Sequence, residues 1–427
     1  MLLEFKVKNF RSIKDWQSFS MLAESKVKEH SEAVIEQSGY NFLPSAIIYG
    51  RNASGKSNLL QAIEVLKLLT LNSGEMNEGD LIPFYNTFKL SSGNSGSSVE
   101  FLIDFLASDG LRYIYSVGFS SSEITYEKLI FYPKTKPAIL FSRVKNQKII
   151  YGEYLTGKKK GIEELLYPNQ LFLSKVGTER NDQLSIPFSF FKYGLLLFTV
   201  HGTSFDEGLS RQVFNALSSD KGDKYSDNFN KLLQFADTGI STIKVKRKQI
   251  DESMLPENID PTIRKKLTSE YSYKVKTLHK VFEDNEFLRE VEFDLEDEST
   301  GTKKLLTVGG KILSVLAVGG VLVVDELDKS LHPRLTRALI KLFNSKKKNP
   351  NNAQLIFATH DVSLLDAALF RRDQVWFAEK EQEGYSHYYA LSDIPGVRAN
   401  TPYEKWYISG RFGATPSINE HELDFEF

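Results

Sequence analysis

The stretch Gly50-Arg51-Asn52-Ala53-Ser54-Gly55-Lys56-Ser57 decides the fold of this 427-residue chain. It fits the phosphate-loop pattern G-x-x-x-x-G-K-[ST] at every position. The apolar residues 46–49 before it indicate a short buried strand, and residues 58–66 after it carry apolar side chains at helical spacing. A strand, a glycine-rich loop and a helix in this order can bind a triphosphate, because the loop closes around the phosphates and the helix amides point at them.

The loop predicts which residues contact the nucleotide. Lys56 would reach the β- and γ-phosphates, and the Ser57 hydroxyl would bind Mg²⁺. We therefore expect ATP and Mg²⁺ as ligands, and we assign nucleotide binding to six residues of this segment: Gly50, Asn52, Gly55, Lys56, Ser57 and Asn58. A chance match of a glycine- and serine-rich turn is the alternative, and the flanking strand and helix patterns disfavour it.

The composition is that of an ordinary globular protein, with 41% hydrophobic and 26% charged residues. The net charge of −1 gives no chain-wide basic field that would hold nucleic acid. The absence of cysteine excludes disulfides, thiol catalysis and cysteine metal sites. Residues 1–6 lack a signal-peptide core, and no apolar run has the ~20 residues of a membrane span, so we expect a cytoplasmic protein.

A second buried strand ends in two carboxylates. Residues 321–324 read Val-Leu-Val-Val, a run typical of a strand buried on both faces, and Asp325 and Glu326 follow it. Asp325 can help to hold Mg²⁺, usually through water. Glu326 is placed to orient and deprotonate an attacking water, which makes it the candidate catalytic base. An acidic strand end that only faces solvent is the alternative, and the phosphate loop disfavours it.

A third apolar run, residues 354–359, ends at His360-Asp361. His360 can contact the γ-phosphate or the attacking water from that position. A lone histidine is usually structural, but a third strand that ends beside the same site favours a catalytic role.

The segment Ser299-Thr300-Gly301-Thr302 lies between the phosphate loop and these strands and precedes a predicted helix. Ser299 can cap that helix, and Gly301 lets the backbone turn tightly. The helix N-terminus would be a second anion site, which need not face the nucleotide of its own chain. A plain helix cap is the alternative.

Four elements in this order resemble the head of an ABC-type ATPase. They are the Walker A loop (50–57), a degenerate signature (299–302), a Walker B strand (321–326) and a switch histidine, His360.

Three further segments narrow the resemblance. Residues 327–333, Leu-Asp-Lys-Ser-Leu-His-Pro, resemble the D-loop of RecF-like and SMC-like heads. Residues 5–13 resemble the first strand of those heads, which implies that Arg11 lies near the nucleotide. Residues 405–416 resemble the tail of a stand-alone bacterial subfamily that is often encoded in anti-phage or mobile-element loci beside an effector gene.

The resemblance implies an α/β fold, an ABC-type P-loop ATPase head with an antiparallel β layer and a helical insertion. We expect an N-terminal ATPase lobe over residues 1–160, a mainly helical insertion or lid over 161–290, and a C-terminal ATPase lobe over 291–427. Alternating apolar residues between 99 and 154 predict antiparallel hairpins. The insertion has no sustained heptad pattern, which excludes a long coiled coil.

Within the insertion, the patterns predict helices over 210–217, 228–236 and 261–271. The basic segment 244–248 fits either an exposed strand with alternating charges or a contact with a phosphate backbone. ABC heads usually carry a glutamine in a loop after the Walker A helix, but this chain has none between residues 67 and 99, and Asn86 is the candidate substitute.

The resemblance also implies a mechanism and a role. ATP would lie between two copies of the chain, and Ser299 and Gly301 would close in trans over the nucleotide of the second subunit. We expect an ATP-hydrolysing switch, a homodimer or higher homo-oligomer, that acts with a separately encoded effector such as a nuclease in anti-phage defence. A RecF-like ATPase acting directly on DNA is the alternative, and the near-neutral charge disfavours it. The residues after His360 contain no Asp-x-Asp motif, which argues against a nuclease site in the chain itself.

Overall fold

The structure is a computed structural model that describes residues 1–91, 93–94, 96–157, 160–177, 182–198, 207–218, 223–249 and 271–416. The chain divides into two compact units. The first comprises Met1–Thr199, Val318–Asp328 and Ile340–Phe427, and the second comprises Val200–Ala317 and Lys329–Leu339. Most of the helix expected over 261–271 lies outside the described residues.

The described residues contain eighteen strands. In chain order they are β1 Leu2–Lys8, β2 Gln17–Ser20, β3 Ile35–Gln37, β4 Tyr40–Phe42, β5 Ser45–Tyr49, β6 Val99–Leu106, β7 Arg112–Phe119, β8 Ile124–Tyr132, β9 Ala138–Val144, β10 Ile150–Tyr151, β11 Leu195–Phe198, β12 Ile240–Gln249, β13 Tyr271–Glu283, β14 Glu286–Asp294, β15 Val321–Val324, β16 Gln354–Ala358, β17 Val375–Lys380 and β18 Ser386–Ala390.

The same residues contain nine α-helices. They are α1 Lys56–Asn72, α2 Lys160–Glu163, α3 Phe172–Gly177, α4 Asp182–Ser189, α5 Glu207–Leu217, α6 Asp223–Phe235, α7 Thr300–Val318, α8 Pro333–Phe343 and α9 Tyr403–Ile408. None of these helices is long and apolar enough to cross a lipid bilayer. The longest, α7, has 19 residues, so the described part of the chain contains no long coiled-coil arm, as predicted.

A six-stranded sheet in the order β11-β15-β16-β5-β17-β18 forms the centre of the first unit. Its first five strands run parallel, and β18 returns antiparallel to β17. All residues of β5, β15 and β16 are buried, because apolar side chains on both faces meet the rest of the core. The strands predicted at 46–49, 321–324 and 354–359 are confirmed.

A seven-stranded antiparallel sheet in the order β10-β9-β8-β7-β6-β1-β2 packs in the same unit. Residues such as Ile48 of β5, Leu60 of α1 and Phe101 of β6 belong to one hydrophobic core, so helix α1 and both sheets share their buried surface. The antiparallel hairpins predicted between 99 and 154 are confirmed. The fold is therefore the α/β fold with an antiparallel β layer that the sequence predicts.

The first unit extends beyond the boundary predicted at residue 160. Phe172, Phe190 and Phe191 are buried in its core. The buried Glu127 carboxylate of β8 accepts the backbone N–H of Phe172 at 2.7 Å and that of Leu173 at 2.9 Å. These contacts hold the start of the expected insertion to the antiparallel sheet.

The second unit corrects the expectation of a mainly helical insertion. Helices α5 and α6 agree with the helices predicted at 210–217 and 228–236, but β12, β13 and β14 form a three-stranded antiparallel sheet. The exposed strand considered for residues 244–248 is part of β12. Leu278 and Val275 of β13 are buried, whereas every residue of β14 is exposed or half-buried, so the sheet buries few apolar residues and lacks a strong sequence signal.

Candidate nucleotide-binding and catalytic site

Three adjacent parallel strands bring the candidate residues to one edge of the central sheet. Val324 at the end of β15 lies opposite Phe357 of β16, and Ala358 of β16 lies opposite Ile48 of β5. The residues that follow these strands are Asp325, His360 and the phosphate loop, so the topology alone places them side by side. Ligand sites in open parallel sheets form at this carboxyl edge.

The phosphate loop has a backbone that only glycine permits at two positions. Gly50 has φ +154°, and a Cβ there would lie 2.3 Å from the carbonyl oxygen of Ala378. Gly55 has φ +108°, and its Cβ would lie 2.2 Å from Oγ of Ser386. Helix α1 begins directly after Gly55 without a side-chain cap, which leaves its first amides for an anion.

Lys56 lies over this loop in a buried position. Its Nζ donates hydrogen bonds to the carbonyl oxygens of Gly50 at 2.7 Å and Arg51 at 3.2 Å. Burial lowers the pKa of Lys56 to about 8, while the charges of Asp325 and Glu326, together with that of Asp328, act in the opposite direction. The charges of the carboxylates that follow β15 therefore act on this lysine.

The surroundings of the Asp325 carboxylate are compatible with a bound Mg²⁺. The residue is only 5% exposed, and no hydrogen-bond donor in the described part of the chain reaches its Oδ1 atom. The same holds for Oδ1 of Asp328, to which the sequence analysis gave no role. Buried carboxylate oxygens without a donor suit a hydrated divalent cation. Asp325 therefore suits its predicted role as a Mg²⁺ ligand. Ser57, the other predicted ligand, is the second residue of α1.

Glu326 and His360 complete the group. Glu326 has φ +52°, a left-handed conformation that costs a non-glycine residue about 1–2 kcal/mol and that often marks functional sites. Burial lowers the pKa of His360, and the positive charge of Lys56 lowers it further. The imidazole is therefore neutral at physiological pH and can both accept and donate a hydrogen bond.

A family profile decides the classification. The profile described as "AAA domain, putative AbiEii toxin, Type IV TA system" matches residues 45–158 and 205–366, more than half of the chain. The chain belongs to this family. The match spans the phosphate loop, both carboxylates and His360.

The solved structures to which this chain is similar include an SMC head domain and the recombination mediator RecF. The SMC head domain from Thermotoga maritima is 13% identical with a TM-score of 0.40, and the alignment covers 91% of this chain and 98% of that chain. The recombination mediator RecF bound to ATP is 15% identical with a TM-score of 0.36, at 84% and 93% coverage. Among curated proteins, none matches the sequence.

Arg11 lies at the first turns of the Walker A helix. Its Nη1 donates to Oδ1 of Asn58 at 3.3 Å and to Oε1 of Gln61, and its backbone N–H donates to the carbonyl oxygen of Asn86 at 2.8 Å. The amide of Asn58 in turn donates to Ser12 Oγ at 2.6 Å. The side chain of Asn58, for which the sequence predicts a contact with the nucleotide, thus contacts Arg11 and Ser12. Asn86, the candidate substitute for the missing glutamine, contacts Arg11 through its backbone carbonyl.

Residues far along the chain support the phosphate loop. Ser386 Oγ donates to the carbonyl oxygen of Ser54 at 2.6 Å, and the buried Tyr388 hydroxyl donates to that of Gly55 at 2.7 Å. The backbone N–H of Arg51 donates to the carbonyl oxygen of Ala414 at 2.9 Å. Asn52 is exposed in the same loop. These contacts could not be predicted, since no local sequence pattern relates β18 or residues 405–416 to residues 50–57.

Ser299 and Gly301 belong to the second unit. Ser299 caps α7, because its Oγ accepts the N–H of Thr302 at 3.1 Å, as predicted. Gly301 is needed for a reason other than the expected tight turn. It lies in the helix, and a Cβ there would approach the carbonyl oxygen of Ser330 to 2.6 Å. Gly301 and Ser330 therefore lie against each other within this unit.

Proposed function

We propose that this protein is an ATP-hydrolysing switch that dimerises through nucleotide held between two copies. The observation that carries the proposal is that the phosphate loop with Lys56, the carboxylates Asp325 and Glu326, and His360 all follow adjacent parallel strands at one edge of the sheet. Membership of a family of P-loop ATPases supports it.

Each residue of the group has a definite task in this proposal. Lys56 exchanges its loop carbonyl partners for the β- and γ-phosphates, while Ser57 and Asp325 hold Mg²⁺, which would neutralise phosphate charge. Glu326 orients a water and accepts its proton as the oxygen attacks the γ-phosphorus and ADP leaves. Neutral His360 donates a hydrogen bond to the γ-phosphate and so distinguishes ATP from ADP.

The signature segment supports the dimer. Ser299 is exposed at the N-terminus of α7, a helix of 19 residues whose first amides and dipole favour an anion. We propose that this helix end binds the γ-phosphate on the partner copy. Assembly would then depend on ATP, because an ATP molecule that contacts both chains stabilises the dimer and not the separate chains.

The biological part of the proposal is a cytoplasmic sensor ATPase that works with a separately encoded effector, such as a nuclease, in bacterial anti-phage defence. The toxin–antitoxin description of the family and the net charge of −1 support a protein partner over direct action on DNA.

The test is the rate of ATP hydrolysis with and without double-stranded DNA, measured for the native protein, Lys56→Ala and the surface control Lys28→Ala. The proposal expects Mg²⁺-dependent hydrolysis that DNA does not change, a loss of at least about 100-fold in Lys56→Ala, and no loss in Lys28→Ala. Strong stimulation by DNA would instead favour a RecF-like repair ATPase. A native protein that does not hydrolyse ATP would overturn the enzymatic proposal.

A further inference from the structure

The β13–β14 hairpin of the second unit is a well-defined element. The turn residues Asp284 and Asn285 have φ of +51° and +67°, the signature of a tight type I′ hairpin. The rings of Phe282 and Phe287 pack edge to face across the two strands, with centroids 6.2 Å apart. The tip is therefore held by its own contacts and has a fixed shape.

Strand β14 exposes apolar side chains that the sheet does not cover. Phe287 is 57% exposed, Leu288 56% and Phe293 43%, and Phe282 beside them is 59% exposed. Eight of the nine residues of β14 are exposed and the ninth, Val291, is half-buried. Exposed apolar groups concentrated on one short strand mark an interaction surface, whereas scattered ones do not.

β14 is also an edge strand. The sheet order is β12-β13-β14, and within the described residues β14 pairs only with β13. Its outer edge therefore presents backbone N–H and C=O groups that can pair with a further strand.

The two faces of β14 differ in charge. Over residues 289–294, Glu290, Glu292 and Asp294 lie on one face, and Val291 and Phe293 lie with Arg289 on the other. Lys244 pairs with Glu292 at 2.9 Å and Lys276 with Asp294 at 2.7 Å, both at the surface. Three more carboxylates surround the tip: Glu283, Asp284 and Glu286.

This charge pattern disfavours a second copy of the same strand. Antiparallel pairing centred on Glu290 would place Glu290 opposite its own counterpart and Glu286 opposite Asp294. Like charges directly opposite each other destabilise a strand pair. A strand that alternates basic and apolar residues instead places its basic residues on the acidic face, beside Glu290, and its apolar residues on the face of Val291 and Phe293.

We propose that the outer edge of β14, with the apolar tip of the hairpin, is a docking surface for a different protein. The partner contributes an extended segment in which basic and apolar residues alternate, and this segment adds to the sheet as a fourth strand. This inference rests on the proposed function in one respect, the expectation of a separately encoded protein partner. The docking itself requires no ATP.

The experiment uses the full chain and two fluorescein-labelled nine-residue peptides. One alternates lysine and valine, and the other has the same composition with all lysines at one end. Fluorescence anisotropy measures affinity, and hydrogen exchange locates the protected amides. The native protein is compared with Phe287→Ser/Leu288→Ser and with the control Leu81→Ser, which alters a residue 70% exposed in the first unit.

The proposal expects the alternating peptide to bind about tenfold more tightly than the blocked one and to protect the amides of β14. The double variant should lose about tenfold in affinity with unchanged ATP hydrolysis, and Leu81→Ser should behave as native. Equal binding of both peptides, protection elsewhere, or self-association through β14 would overturn it. Lys56→Ala should bind the peptide normally, so failure of the ATPase proposal remains distinguishable.

Discussion

At the scale of single residues, Lys56 connects the phosphate loop to the proposed chemistry. Its Nζ is hydrogen-bonded to two loop carbonyls and lies near three carboxylates, yet burial still lowers its pKa to about 8. A triphosphate would replace the carbonyls with negative charge and favour the ammonium form. Binding of ATP and protonation of Lys56 should therefore be linked.

The first prediction follows from this linkage. Burial lowers the pKa of Lys56 to about 8, so the side chain loses its proton above pH 8, and ATP binding must then take up a proton. We expect the Kd for ATP to rise roughly eightfold between about pH 7.5 and about pH 9. Titration calorimetry in buffers with different ionisation enthalpies measures both the affinity and the proton uptake.

Lys56→Arg is the control for this titration, because a guanidinium keeps its charge throughout the range. Its affinity for ATP should be weaker but independent of pH. A native protein with the same affinity at both pH values and no proton uptake would contradict the role of Lys56.

At the scale of elements, the C-terminal segment 403–416 lies against the phosphate loop. The Tyr389 hydroxyl donates to the carbonyl oxygen of Phe412 at 2.7 Å, and Glu379 accepts the N–H of Ala414 at 3.3 Å. Ala414 in turn accepts the N–H of Arg51. Side chains of β17 and β18 thus form hydrogen bonds with segment 403–416, and this segment forms a hydrogen bond with the phosphate loop.

The second prediction concerns Gly413, which has φ +71° at the centre of these contacts. A Cβ there would lie 2.6 Å from the Tyr389 hydroxyl and 2.9 Å from Oε2 of Glu379. We expect Gly413→Ala to displace the tail and weaken ATP binding about tenfold while the circular dichroism spectrum stays native. Binding of a fluorescent ATP analogue measures the change.

Gly396→Ala is the matched control for Gly413→Ala. Gly396 has φ +81°, but a Cβ there meets nothing within 4 Å. The substitution therefore carries the backbone cost of about 1 kcal/mol without the collision. Equal loss of ATP affinity in both variants would show that the tail contacts do not position the loop.

Some of the strands and contacts could be predicted from the sequence, and others could not. The strands that carry the site were predictable because parallel strands buried on both faces appear as continuous apolar runs, such as 321–324. Strand β12 was anticipated only as an exposed strand over residues 244–248, and β13 and β14 were not predicted, because most of their residues are exposed and no continuous apolar run marks them. Ser386 and Tyr388 support the loop through contacts more than 330 residues apart in sequence, for which no local signal exists.

At the scale of the whole molecule, the residues with proposed roles belong to two different units. Lys56, Asp325, Glu326 and His360 belong to the first, whereas Ser299 and Gly301 belong to the second. In the proposed dimer, each nucleotide contacts the first unit of one copy and the second unit of the other. The proposal therefore predicts that defects in the two parts of the site complement each other.

The third prediction uses this complementation. Lys56→Ala disables the phosphate loop, and Ser299→Arg blocks the signature end of α7, so each variant alone should be inactive. A heterodimer of the two contains one intact composite site, and an equal mixture should recover about a quarter of the native ATPase rate if subunits pair at random. A mixture that stays inactive, although its subunits exchange, would show that the signature does not act in trans.

The central claim, a dimer held by ATP, is tested most directly by the solution mass of Glu326→Gln with ATP and with ADP. The variant keeps the shape of the side chain but loses the base, so ATP should persist and hold two copies. We predict a species of twice the 48.6 kDa chain with ATP and a single chain with ADP. The control Glu383→Gln, at an exposed position, should hydrolyse ATP and return to single chains. A Glu326→Gln protein that binds ATP yet remains a single chain would contradict the account.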